Sequence, residues 1–159
     1  MLKLNTDKTE VIMFSSPHNS KHIEDLSVTV GDSKVKQSVK VKNLGAIFDS
    51  NMNMEDHVNS VCRSCYLHLR QIGRIQKYLT IDASKQLVTS LVISRLDYCN
   101  ALLYGVSQTL VNKLQIVQNT AARIITRTLR YDHITPVLKE LHWLPVQYRI
   151  QFKILTHTY

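Results

Sequence analysis

No apolar run in this chain approaches the roughly 20 residues that a membrane-spanning helix requires, so a membrane protein of that kind is not expected. Cysteine is scarce. There are three, Cys62, Cys65 and Cys99, and two of them share one helical stretch. An odd count placed this way argues against a disulfide framework and for a reducing compartment, nucleus or cytoplasm, rather than secretion. The first residues, Met1 to Glu10, are polar and mixed in charge, unlike a secretory signal peptide. No internal repeat or low-complexity stretch is visible. Acidic residues are missing where basic ones are densest: between His57 and Ile81 there is no acid at all.

The 159 residues suit about one domain, and 44% apolar content is enough for a core. From His57 to Tyr131 ten basic residues face only two acids, Asp82 and Asp97. That excess of eight equals the net charge of the whole chain, and the remaining residues balance. A positive excess confined to one segment suggests a polyanionic partner, with an ordinary basic solvent face as the alternative.

The first third predicts β-structure. Glu10 to Phe14 is a short apolar run ending at Ser15, Ser16 and Pro17. Leu26, Val28 and Val30 alternate with polar residues, Gly31-Asp32-Ser33 supplies a turn, and Val35, Val39 and Val41 follow, which predicts a hairpin or small meander. Leu44 to Phe48 is a more continuous run, in which Gly45 suggests a bulge or a close backbone approach.

The rest predicts helices. The first runs from about Asn53, a plausible N-cap, to Leu79, with Val58, Val61, Cys62, Cys65, Leu69 and Ile72 on one face. Arg63, Arg70, Arg74 and Lys77 recur on the opposite side, within roughly 60° of one another at 100° per residue. The second helix is expected from Asp82 to about Tyr104, with Gly105 as its stop. The third is expected from Ser107 to Thr128, with Arg123, Arg127 and Arg130 forming a second basic stripe at i, i+4 and i+7. A short fourth helix opens at Thr135-Pro136 and ends near His142; a fifth follows Pro145, with Ile150, Ile154 and Leu155 inward. The fold class is therefore α+β, mostly α: a small antiparallel β-unit followed by about five helices. Segments 1–50, 51–131 and 132–159 are the expected divisions.

Several strings resemble LINE-type (non-LTR, jockey-like) retrotransposon reverse transcriptases. LKLNTDKTEVIMF (Leu2 to Phe14) is similar to the segment after the active-site aspartates, motif D. VKNLGAIFDSNMNMEDHV (Val41 to Val58) is similar to motif E, the primer grip, leading into the thumb. SRLDYCNALLYG (Ser94 to Gly105), KLQIVQNTAARIITRT (Lys113 to Thr128) and DHITPVLKELHWLPVQYRIQFKIL (Asp132 to Leu155) resemble the thumb and post-thumb region. The resemblance covers nearly the whole chain in the family's order. Ser107 departs from a frequent family proline.

The resemblance implies that residues 1–50 are the end of a palm, 51–131 a thumb and 132–159 a post-thumb segment. It also implies what is missing. The family's Tyr/Phe-Ala-Asp-Asp strand, whose carboxylates hold Mg²⁺ for nucleotidyl transfer, is nowhere in the sequence, and Asp7, Asp49, Asp82 and Asp97 are scattered. This chain alone is then not an enzyme: it has no catalytic residue and no cofactor of its own, and the remaining palm and fingers belong to a full-length polymerase. Arg63, Arg70, Arg74 and Lys77, with Arg123, Arg127 and Arg130, are the candidate contacts to an RNA–DNA hybrid or RNA. Leu44, Gly45 and Phe48 are primer-grip-like, with a buried, bulged strand as the alternative. Lys8 falls in the motif D-like segment, where a general-acid role would be idle without the aspartates.

His57, Cys62, Cys65 and His68 fall within one helix, which spreads them over different faces, so no metal site is expected. Trp143 reads as a packing anchor, and Asp97, Tyr98 and Asn100 as caps or cross-links between helices. Two other readings stand beside nucleic-acid binding. One is a helical protein-interaction module; the other is a non-functional, poorly folding remnant, which a cooperative thermal transition would count against. Oligomeric state is open.

Overall fold

The computed structural model describes residues 5, 8–16, 27–31 and 33–158. The fold is α+β and predominantly helical, with two antiparallel strand pairs followed by a helical array. The chain forms two compact units, Met1–His57 and Val58–Tyr159.

In the first unit, β1 (Ser27–Val30) pairs with β2 (Ser33–Lys36), and β3 (Lys40–Asn43) with β4 (Ala46–Asp49). Leu26, Pro17, Asp7 and Asp32 lie outside the described residues. The run Glu10 to Phe14, expected as a strand, contributes one bridge, Val11 to Gln37, with the Ser38 N–H donating to the Val11 carbonyl at 2.7 Å. Leu44 to Phe48 is not one bulged strand. The register pairs Asn43 with Ala46, leaving Leu44 and Gly45 as a two-residue hairpin turn. Both have positive φ, 47° and 89°, as a type I′ turn demands. Glycine adopts this freely and leucine does not.

After β4 the chain is organised by one carboxylate. Asp49 is buried, and its Oδ1 accepts the N–H groups of Asn51 and Asn53, both at 3.1 Å, while Oδ2 accepts that of Met54 at 2.8 Å. These bonds hold a loop in which Met52 and Met54 both have positive φ. Asn53 then accepts the Glu55 N–H at 2.8 Å, and α1 (Glu55–Ile75) begins with Glu55 and Asp56 in its first turn, where the helix dipole favours acids.

The second unit continues α1, which passes into a 3₁₀ turn at Gln76–Tyr78 rather than staying α-helical to Leu79. The expected second helix is broken. It comprises α2 (Ile81–Val88), capped by Thr80, a π-helical turn (Thr89–Ile93) and α3 (Ser94–Asp97). Cys99 is left-handed (φ 55°), and a 3₁₀ turn, Asn100–Leu103, follows. The break places Asp97 where it binds Arg149 through two oxygens, one of them 2.8 Å from Nε. The Asn100 amide also lies 3.5 Å from Asp97 Oδ1. Asp97 and Asn100 thus cross-link elements, as the sequence suggested.

The central helix is α4 (Gln108–Thr126), on which α2, α5 (Ile134–Glu140) and α6 (Val146–Thr158) pack. Leu114, Val117, Ala121 and Ile125 are essentially inaccessible to solvent, as are Val88 and Val92 of the broken helix and Cys65 of α1. Gln118 is buried as well: its amide donates to the Leu144 carbonyl at 2.8 Å and its Oε1 accepts from Gln115. Gln115 in turn accepts the Val146 N–H at 2.8 Å, satisfying an orphan donor at the start of α6. In α6, Ile150 is buried but Leu155, expected inward, is exposed. Trp143 is half-buried between α5 and α6, its backbone N–H donating to the Leu138 carbonyl at 2.8 Å.

Candidate nucleic-acid interface

Arg63, Arg70 and Arg74 lie on α1 and are exposed. From Arg63 to Arg74 the helix rises ~16 Å, at 1.5 Å per residue, so the three form a straight basic row. Among the described residues none of them is ion-paired with a carboxylate, and α1's nearest acid, Asp56, is engaged by Lys40 at 2.7 Å. Lys77 is separate from the row. It lies in the 3₁₀ turn, its ammonium 4.8 Å from the centre of the Tyr78 ring.

The second expected stripe is not a helical stripe. α4 ends at Thr126, and Arg127 takes a left-handed conformation (φ 57°) as its C-cap, so Arg127 and Arg130 do not continue the helix beyond Arg123. The physical reason is reciprocal capping. The Gln76 amide donates to the Ile124 carbonyl at 2.6 Å, near the end of α4. Arg127 Nη2 donates to the carbonyls of Leu79 (2.9 Å) and Gln76 (3.3 Å), beyond the end of α1. Arg123 reaches forward, from Nε to the Leu129 carbonyl (3.2 Å) and from Nη2 to that of Asp132 (2.8 Å). The Asp132 carboxylate itself accepts the Leu129 N–H at 3.1 Å.

This arrangement gathers what the sequence kept apart. Lys77, Arg123, Arg127 and Arg130 line one groove of about 870 Å³, together with Ile116, Ile124 and uncharged polar residues, and none of the described lining residues is acidic. Two helix C-termini meet there, each carrying about half a negative charge. They offset roughly one of the four cations, and the Asp132 carboxylate on the adjoining turn offsets another, so about two positive charges remain for an external anion. A guanidinium has five N–H donors. The bonds that hold Arg123 and Arg127 use only some of these, and Arg130 is exposed. The convergence joins residues about 46 positions apart, beyond the reach of helical periodicity.

The primer-grip-like residues separate. Leu44 and Gly45 form the exposed hairpin tip, with Leu44 84% accessible. Phe48 lies on β4 opposite Val41 and, with Ile12, Phe14 and Lys8, lines a hollow of about 490 Å³. Lys8 is exposed there, beside Glu10.

Two of the aspartates have structural roles: Asp49 is committed to three backbone amides and Asp97 to Arg149. Among the described residues no three His, Cys, Asp or Glu side chains converge as a metal-binding group. Burial pushes the Cys65 thiol up to about 11, and that of Cys62 upward too, so both are neutral packing groups near neutral pH. Cys65 Sγ instead faces the Val92 carbonyl at 3.8 Å.

Burial lowers the pKa of His57, whose Nδ1 accepts the Ile47 N–H at 3.4 Å in its neutral form. The unfolded chain restores a value of 6.5. Below that pH the unfolded state binds the proton more readily, so the stability associated with neutral His57 is complete above pH 6.5 and declines as pH falls. Melting temperatures between pH 7.5 and 5.5 are expected to fall less steeply for His57→Asn, which keeps an acceptor but no titrating ring. Identical slopes would refute the assignment.

Comparison with protein-family models, curated proteins and solved structures finds no match to this chain. Among the described residues no helix is long and apolar enough to cross a membrane.

Proposed function

We propose that this chain is the palm-end and thumb portion of a LINE-type reverse transcriptase, lacking the catalytic aspartates, and that alone it binds nucleic acid without polymerising it. The observation that carries the binding half of this reading is the groove: four cations from two distant segments, no acid among the described lining residues, and more positive charge than the helix ends require. The exposed row Arg63, Arg70 and Arg74 adds a backbone-tracking surface about five base-pair steps long at ~3.4 Å per step. The partner is an RNA–DNA hybrid or RNA, and the missing palm and fingers would complete the polymerase. The exposed hairpin tip formed by Leu44 and Gly45 is in keeping with a primer-grip role, in which the backbone of a turn approaches the primer terminus and glycine permits the approach. A nuclear or cytoplasmic setting accords with three free cysteines.

The test is a salt titration of the intact chain on a labelled 12-base-pair RNA–DNA hybrid. The logarithm of the binding constant is expected to fall linearly with log salt, with a slope of about −3 or steeper for three or more neutralised phosphates. Absence of binding at 50 mM salt, or affinity indifferent to salt, would refute the proposal.

A second reading, a protein-interaction module, draws on α6, where Tyr148, Phe152 and Leu155 recur at i, i+4 and i+7 and are all more than half exposed. A monodisperse oligomer indifferent to nucleic acid on size exclusion would favour it.

A further inference from the structure

The groove differs from the α1 row in one respect besides shape. Two of its cations are each followed in the chain by a tyrosine, Lys77 by Tyr78 and Arg130 by Tyr131. Tyr78 is 77% and Tyr131 92% exposed, the most accessible tyrosines among the described residues. Their hydroxyls do not account for this exposure: a tyrosine serving as a packing anchor buries its ring and leaves only the tip wet. The Lys77 ammonium sits against the Tyr78 ring, so charge and aromatic face are presented together.

Duplex and single strand use such a surface differently. A duplex keeps its bases stacked inside and offers the protein phosphates, sugars and groove edges, so exposed rings add little to its binding. A single strand offers splayed bases, and each gains from an aromatic face whatever its identity. The tyrosine beside the α1 row, Tyr66, is the least exposed of the described tyrosines at 41%, so that row suits the first, whereas cations flanked by largely exposed rings suit the second. We infer that the groove between the ends of α1 and α4 holds a single-stranded segment of nucleic acid, its phosphates against Lys77, Arg123, Arg127 and Arg130 and its bases on Tyr78 and Tyr131, while Arg63, Arg70 and Arg74 serve duplex. This rests on the nucleic-acid-binding reading above and adds to it a division of labour between two surfaces.

The experiment measures fluorescence anisotropy of the intact chain with a labelled ten-nucleotide oligo(dT) and, separately, with the 12-base-pair hybrid. The double variant Tyr78→Leu/Tyr131→Leu is expected to weaken oligo(dT) binding about 30-fold or more, given the usual worth of base–aromatic stacking. Hybrid binding should stay within about threefold, since duplex bases remain stacked. Tyr78→Phe/Tyr131→Phe, which keeps the rings, should stay within about threefold on both probes. A parallel loss on both probes, or unaltered oligo(dT) binding by the leucine pair, overturns the inference. Wild-type protein that binds hybrid but not oligo(dT) also overturns it and leaves the proposed function standing; protein that binds neither overturns both.

Discussion

Reversing Arg63, Arg70 and Arg74 to glutamate together is expected to weaken hybrid binding by about 100-fold or more at 100 mM salt, and to flatten the salt slope by roughly 3. Each substitution removes one phosphate contact and adds one repulsion. The magnitude is large because α1 has no acid after Asp56 to share the load. The fold should not suffer. All three side chains are exposed and, among the described residues, ion-paired with no carboxylate, and such surface substitutions usually change stability by no more than about 0.5 kcal/mol. A well-folded triple variant that binds hybrid like the wild type would remove α1 from the interface. Circular dichroism on the same sample separates that outcome from unfolding.

The second large effect is structural. Asp49→Ala is expected to cost about 3 kcal/mol, because three backbone N–H groups lose a charged acceptor and hydrogen bonds to charged groups are each worth about 1.5–3 kcal/mol before water recovers part of the loss. The loop leading into α1 carries two non-glycine residues with positive φ, which persist only when their surroundings over-determine them. Asp49→Asn keeps one acceptor oxygen and should fall between. Urea unfolding gives the magnitude, and hydrogen exchange at the amides of Asn51, Asn53 and Met54 gives the location. An alanine variant within about 0.5 kcal/mol of wild type would show that water replaces the carboxylate at little cost.

The sequence made some elements plain and hid others for identifiable reasons. α1 and α4 were legible because apolar residues recur at helical spacing along their whole length. The broken helix was not, since Leu87 to Leu103 keeps an apolar face through the π turn and no glycine or proline marks the left-handed Cys99. The break goes with a tertiary contact, since Asp97 meets Arg149, 52 residues on. The turn at Leu44-Gly45 lies inside an apolar run that reads as one strand with a bulge at Gly45. Arg127 and Arg130 were expected to continue a stripe because Thr-Arg-Thr-Leu carries no terminator, yet the ends of α1 and α4 cap each other there. Of the candidate interface, the α1 row was therefore visible in the periodicity, whereas the groove exists only once the chain has folded.

Arg127 gives that groove a kinetic character. Its guanidinium ties the turn beyond α1 to the end of α4, and Gln76 ties them again from the other side. The two walls are fastened before any ligand arrives, so little ordering of the protein remains to be done during capture. Association is then governed by how fast opposite charges find each other, and dissolved salt should act mainly on the rate of arrival rather than on the lifetime of the bound state.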